Sequence, residues 1–423
     1  MGYTIAQKIL AEHCGKPHVM PGEQITAKID MTFTGEMSGA LAIKYMQERG
    51  ITKVFDTSRV ALLPDHNTPN NNILTATNCK AMREFAKAAN IEHYYEVGRM
   101  GVEHVILHEK GLIVPGDLVV GADSHSTTHG ALGAFATGIG SSDFFAAMVL
   151  GEVWLKVPET MKIVLNGKPP QWVTGKDIIL YLIGKIGLDG ATYKAIEFHG
   201  GGIQYLSMDS RFALCNMAVD CGAKTAIMPV DETVLNYLEN RAKRPYTIYH
   251  ADEDAAYCEV MEINLDELEM QVAYPHDPSN VHPISRAKKE EKIKIDQAFI
   301  GTCTNSRIED MRLAAQLLKG RKVHPDVRLV VIPGSQDVFL QAVNEGLANI
   351  FVDAGAAFTT PSCGPCLGAH MGVLAAGERC VSTGNRNFQG RMGHADSEVF
   401  LSGAPIAAAS AIAGYLAAPE EVL

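Results

Sequence analysis

Ala298-Phe299-Ile300-Gly301 runs straight into Thr302-Cys303-Thr304-Asn305-Ser306-Arg307, and then into Ile308-Glu309-Asp310-Met311 and onward to Leu318. The first four residues are a short apolar run of the kind that forms a buried parallel strand. The last block carries apolar residues at 308, 311, 314, 317 and 318, a helical period, with Ser306 placed to cap its start. Between them lies a polar turn that holds a thiol. Strand, loaded turn and helix make one unit of a parallel α/β layer, and such layers bind ligands at the carboxyl ends of their strands.

The same unit recurs along the chain. Leu118 to Gly121, Lys162 to Leu165, Leu329 to Ile332 and Cys380 to Thr383 read as buried strands, and Asp337 to Leu347 reads as a helix. Three more polar clusters follow strands. Asp65-His66-Asn67 follows Val60 to Leu63, Asp123-Ser124-His125-Ser126 follows Leu118 to Gly121, and Asn385-Arg386-Asn387 follows Cys380 to Thr383. An Asp in a turn is commonly an Asx-turn residue, so one such cluster carries little weight. Four of them at strand ends point to one composite site.

Composition bounds the rest. At roughly 100–200 residues per domain, 423 residues suggest two to four domains. The stretch Tyr274 to Lys294 holds Pro275, Pro278 and Pro283 and then a charged run, which places a boundary near 285. Residues 1–285 are read as two interleaved α/β lobes and 286–423 as a third α/β domain. The balance of 37 Lys+Arg against 48 Asp+Glu gives a net charge of −11, without a basic run, which disfavours nucleic-acid binding. Pro405 to Ala418 is apolar but shorter than the ~20 residues of a membrane-spanning helix. The N-terminus has scattered charges and no apolar signal core, so a cytoplasmic protein away from the membrane is expected. Nine cysteines, an odd number, speak for thiols, a metal or a cluster rather than a disulfide framework.

Cys363-Gly364-Pro365-Cys366 is a close pair, and Cys303 lies 60 residues upstream on another strand-end loop. Three chemistries compete: a thioredoxin-like redox pair, a structural zinc site, and an iron–sulfur centre held by thiolates. Zinc usually wants a second close pair, and none is present. Three convergent cysteines on an iron–sulfur centre leave one iron without a protein ligand. The ordinary alternative is that these thiols are small buried apolar groups. Asp65 adjoins His66, and Asp123 lies two residues from His125; a carboxylate beside an imidazole orients and charges a proton carrier. His104 and His108 are spaced to share a helix face, half of a metal site with no third ligand in view. Arg386 and Arg391, in a Gly-flanked loop, suit the carboxylates of a di- or tricarboxylic acid.

Taken together, GTCTNSR at 301–307, PSCGPCLG at 361–368, ADSHS at 122–126 and GNRNFQGR at 384–391 resemble the signatures of the aconitase superfamily. They match in order and spacing, over nearly the whole chain. Its length resembles the large subunits of the 3-isopropylmalate dehydratase and homoaconitase type, in their shorter prokaryotic form. The resemblance implies three aconitase-like α/β domains around one [4Fe-4S] cluster, held by Cys303, Cys363 and Cys366 and used as a Lewis acid. The fourth, swivelling domain is then a separate small subunit, which brings the serine base. Asp65 and His66 match the pair that protonates the departing hydroxyl. Asp123 and His125 match the pair that handles the iron-bound water, and His104 matches a further active-site histidine. Asn216 and Asn385 match contacts near the cluster, and Arg386 and Arg391 match contacts to substrate carboxylates.

Two departures from the pattern stand out. Asp220, in the catalytic set, replaces the usual Glu and shortens the reach by a methylene. Thr34 to Ala40 replaces a His-Asp or His-Glu pair and brings Met37, whose thioether can shape itself to an alkyl group. The implied activity is a hydro-lyase acting on a hydroxy di- or tricarboxylate. 3-Isopropylmalate comes first, with its isomerisation to 2-isopropylmalate in leucine biosynthesis. 2,3-Dimethylmalate follows, then homocitrate or citrate. The competing classes are a non-catalytic iron–sulfur regulator that binds RNA, which the net charge opposes, and a thiol–disulfide oxidoreductase using Cys363 and Cys366.

Overall fold

The computed structural model describes residues 2–287, 289 and 292–423. Three main sheets carry the molecule. The first has five parallel strands, in the order His93–Tyr94, Val60–Leu62, Met31–Thr34, Leu118–Gly121, Phe135–Gly138. The second has four parallel strands, in the order Thr225–Ile227, Ala195–His199, Thr160–Asn166, Glu259–Asn264. The third has seven: Val281–Pro283, Gln271–Ala273, Glu398–Leu401, Arg379–Ser382, Gln297–Ile300, Arg328–Val331, Ala357–Phe358. Its last five strands are parallel and its first two antiparallel. Those two antiparallel strands precede residue 285, Gln271–Ala273 before the proline-rich stretch and Val281–Pro283 within it.

Both faces of the inner strands are covered, as parallel sheets require. Leu118 and Val120 pack with Ile5, Ile9 and Leu10 of the helix Ile5–His13, while Val119 packs with Phe33 and Ala136 on the other side. Ala298 and Ile300 pack with Met311, Ala315 and Leu318, and Phe299 packs with Ile332 and Cys380. The deciding stretch therefore folds as strand, turn and helix. The helix spans Ile308–Leu318 and its N-cap is Arg307, one residue beyond the expected Ser306. Asp310 sets this boundary, because its carboxylate accepts the Arg307 N–H at 3.1 Å. The helix expected over Asp337 to Leu347 is Gln336–Asn344, capped by Ser335. Gly346, at φ 75°, ends it in a left-handed turn, and Leu347 opens the next helix, Leu347–Ala354. Among the described residues no helix is long and apolar enough to cross a membrane.

Candidate active site at the facing strand ends

The ends of the first and third sheets face each other across a cavity of about 180 Å³. Asp65 and His66 follow the strand Val60–Leu62, and Asp123 and His125 follow Leu118–Gly121. Cys303 follows Gln297–Ile300, and Asn385 and Arg386 follow Arg379–Ser382. All of these, with His104, Cys363, Cys366 and Arg391, line the one cavity.

The loops are tied across the gap. The Cys363 N–H donates to the Asp65 carbonyl at 3.0 Å, and Ser362 Oγ donates to the same oxygen at 3.2 Å. His370 Nε2 lies 3.1 Å from the His66 carbonyl. Thr302, buried and at φ 71°, turns the chain sharply into Cys303, and its hydroxyl bonds the Thr383 carbonyl. Gly364, at φ 61°, makes the turn between the paired thiols, and a Cβ there would meet Ile332 Cδ1 at 2.4 Å.

On the first sheet, imidazoles and carboxylates alternate. Asp65 Oδ1 lies 2.7 Å from His66 Nδ1, and His66 Nε2 lies 3.6 Å from Asp123 Oδ2. Asp123 Oδ1 is 2.7 Å from His104 Nε2 and accepts the His125 N–H at 2.8 Å. His125 Nε2 is 3.4 Å from Asp220 Oδ2, and Asp220 Oδ1 accepts from Arg386 Nε at 2.7 Å. Burial opposes a charged His66, yet Asp65, Cys363 and Asp123 outweigh it and raise its pKa well above the ordinary imidazole value. Burial likewise opposes ionised Asp123, but bonds with His104, His125 and His66 hold it well below the usual carboxylate range. His104 goes the other way: its burial outweighs the Asp123 bond and lowers its pKa. The arrangement favours a protonated His66 and an ionised Asp123.

On the third sheet, the groups suit metal and anions. Cys303, Cys363 and Cys366 are buried, and the first and second pack with Val102 and Val105. Asn385 Nδ2 donates to Cys303 Sγ at 3.3 Å, and its Oδ1 lies 3.8 Å from Cys366 Sγ, so one amide spans two thiols. Arg391 Nη2 is 3.8 Å from Cys366 Sγ. Asn216 braces the same turn: Thr304 Oγ1 donates to its Oδ1 at 3.2 Å, and its Nδ2 donates to Thr128. Burial pushes the Cys303 thiol up to about 12 and the Cys363 thiol well above its ordinary value. An attacking redox thiol has a lowered pKa, so these are poor nucleophiles. Thiols buried this way ionise when a cation ligates them. Three facing one cavity, with a bridging amide and no second close pair, fit a three-thiolate iron–sulfur centre better than zinc.

His108, one helical turn beyond His104, leaves the site. Its ring stacks on Phe212 at 3.8 Å between centroids, and its Nδ1 lies 2.6 Å from the Tyr237 hydroxyl.

Sequence reasoning passed over Glu36, Glu103, Lys176 and Arg307. Glu36 opens the helix Glu36–Glu48, and its buried carboxylate accepts the N–H groups of Asp65, His66 and Asn67 at 3.0, 3.3 and 2.7 Å. Glu103 donates its N–H to Asp65 Oδ2 at 2.8 Å. Burial, with Asp65 and Asp123 nearby, pushes its own carboxyl well above the ordinary range. Arg307 donates to the carbonyls of Thr304 and His104 at 3.0 and 3.1 Å, joining the two halves. A Glu just after a strand end that faces another strand-end cluster was the one linear signal. For the other three only the fold brings the partners together.

The sequence profile of the Aconitase family (aconitate hydratase) matches residues 7–414. The chain belongs to the aconitase family. Among its relatives, the 3-isopropylmalate dehydratase large subunit of Desulfitobacterium hafniense is 56% identical over 424 residues, all of both chains. The protein of the same description from Acetivibrio thermocellus is 55% identical over 422 residues, again all of both chains. The fold is similar to that of Thermococcus kodakaraensis aconitase X in its holo form, with a TM-score of 0.52, 14% identity and 90% and 88% of the two chains covered. In this aconitase-family chain the thiols, the imidazole–carboxylate pairs and the arginines thus stand together in a mixed α/β fold.

Proposed function

We propose that this chain is the large subunit of a hydro-lyase that isomerises 2- and 3-isopropylmalate by removing and re-adding water, in the cytoplasm. The observation that carries the reading is full-length identity of 53–56% to relatives described as 3-isopropylmalate dehydratase large subunits. The cavity supports it, because its groups divide into those that move a proton, those that hold carboxylates and those that ligate metal. A [4Fe-4S] cluster on Cys303, Cys363 and Cys366 supplies, when bound, a Lewis acid that polarises the C–OH bond.

The chain's own residues do the rest. His66, kept charged by Asp65 and Asp123, carries the proton on Nε2 that the departing hydroxyl needs. His104, locked on Asp123 Oδ1, fixes that carboxylate beside both His66 and His125. Asp220 joins His125 to Arg386, so the proton carrier and the carboxylate clamp hold a common geometry. Arg386 and Arg391 take the two substrate carboxylates. Met37, Val102 and Leu367 are apolar side chains in the cavity lining, and the reading assigns the alkyl branch to contacts of this kind. A small subunit closes the site and brings the base that takes the C–H proton.

The test is a substrate panel. The chain, reconstituted anaerobically and mixed with its small subunit, is assayed on 3-isopropylmalate, 2,3-dimethylmalate, homocitrate and citrate. The reading predicts the highest kcat/KM for 3-isopropylmalate. A tenfold preference for either tricarboxylate, about 1.4 kcal/mol of transition-state binding, overturns the alkyl-pocket assignment.

A further inference from the structure

Lys176 sits in the first turn of the helix Gly175–Ile186 with none of its surface exposed. Its ammonium donates to the Thr383 carbonyl at 3.2 Å and to the Gly384 carbonyl, and rests 3.1 Å from Met217 Sδ. Among the described residues no carboxylate lies within ion-pair distance of it. The adjacent Asp177 is committed elsewhere: its carboxylate accepts from Thr174 and from the Gln271 N–H. Asp220 already serves His125 and Arg386. Burial lowers the lysine pKa to about 8, and the charges that act on it most are Asp220 and Cys303.

A buried cation without an ionic partner is strongly unfavourable, and an uncharged donor could bond two carbonyls at lower cost. The carboxylates whose charges reach Lys176, those of Asp220, Asp177 and Asp310, act on it without touching it, so its direct partners are the two carbonyls and a thioether. It lies directly behind the thiol loops. The Thr383 carbonyl that it bonds also accepts from Thr302, the residue before Cys303. The Gly384 carbonyl precedes Asn385, whose amide bonds Cys303 Sγ.

We infer that Lys176 is the fixed countercharge of the thiolate-held centre: a positioning residue that holds the Thr383–Gly384 turn and offsets the negative charge of the ligated thiolates. This rests on the proposed reading of Cys303, Cys363 and Cys366 as cluster ligands. Such a charge stabilises the more negative, reduced form of an iron–sulfur centre and raises its potential, a lever set by nearby charge and burial.

The experiment compares the full wild-type chain with Lys176→Gln, Lys176→Met and Lys176→Arg after anaerobic reconstitution. Two quantities are read: the midpoint potential of the cluster, and the rate at which an iron chelator removes it. Both neutral variants fold, shift the midpoint to more negative values and lose the cluster severalfold faster, while Lys176→Arg stays close to wild type. Wild-type potential and chelation rate in the neutral variants overturn the inference. Neutral variants that fail to fold before reconstitution also overturn it, because the lysine is then needed by the chain and not by the centre. A wild-type chain that takes up no cluster sinks the cofactor reading instead, so the two failures are told apart.

Discussion

The two sheets that meet at the site differ in how their charges are settled. On the five-stranded sheet most of the balance comes from neighbouring carboxylates and imidazoles: His66 is drawn up first by Asp65, with Cys363 from across the cavity and Asp123 adding to it, and Asp123 is drawn down by three histidines. On the seven-stranded sheet Cys303 is buried and its pKa is pushed to about 12, and a lysine that makes no direct ion pair among the described residues stands behind it. In the proposed reading the proton-handling half is set mainly by its own carboxylates and imidazoles. The thiol half needs a cationic centre before its groups take their working charge states. The comparison predicts that damage to the two halves has different signatures.

The largest effect belongs to the thiols. Cys303→Ser, Cys363→Ser and Cys366→Ser each abolish cluster assembly, read as loss of the broad visible absorbance near roughly 400 nm of a thiolate-bound iron–sulfur centre. Turnover falls with it. Cys14→Ser and Cys258→Ser, outside the cavity, keep the absorbance. A colourless zinc-loaded protein with full activity contradicts this.

Damage to the proton half leaves the colour and slows the chemistry. His66→Ala lowers kcat by ~10²-fold or more, the scale of general acid catalysis, at unchanged cluster content. An unchanged kcat returns His66 to a structural role. Glu36→Ala acts on the same half through the backbone, since it strands three N–H groups, one buried and two partly buried. It costs about 2 kcal/mol or more in urea unfolding of the chain before reconstitution, and lowers kcat with it. Equal stability in the variant breaks the claim that Glu36 holds the His66 turn.

The smallest effect is at the cavity edge. Met37→Ala lowers kcat/KM for 3-isopropylmalate by roughly tenfold, the scale of a few methylenes in an apolar pocket, and spares an unbranched malate. Equal losses on both acids remove Met37 from alkyl recognition.

Each half was legible locally, because parallel strands bury both faces and so read as apolar runs ended by polar turns. Leu118–Gly121 folds as read, and Asp123 follows it. What joins the halves was not legible, because the bonds run between residues distant in sequence, as from the Cys363 N–H to the Asp65 carbonyl. His104 and His108 mark the limit of spacing arguments. Their shared helical period is real, yet the first meets Asp123 and the second stacks on Phe212, a choice made by neighbours from other elements. Ser306 was a good cap by residue type and lost to Arg307, whose N–H the Asp310 carboxylate captures. The family resemblance, rather than spacing, supplied the roles of Asn216 and Asp220.

The central claim is that one substrate spans both halves. The most direct measurement is the electron paramagnetic resonance spectrum of the reduced, reconstituted chain in complex with its small subunit, with and without 3-isopropylmalate. The account predicts that the acid changes the spectrum in the wild type and also in His66→Ala, which has lost a proton carrier and kept the thiol half. A spectrum indifferent to saturating 3-isopropylmalate in both proteins contradicts it.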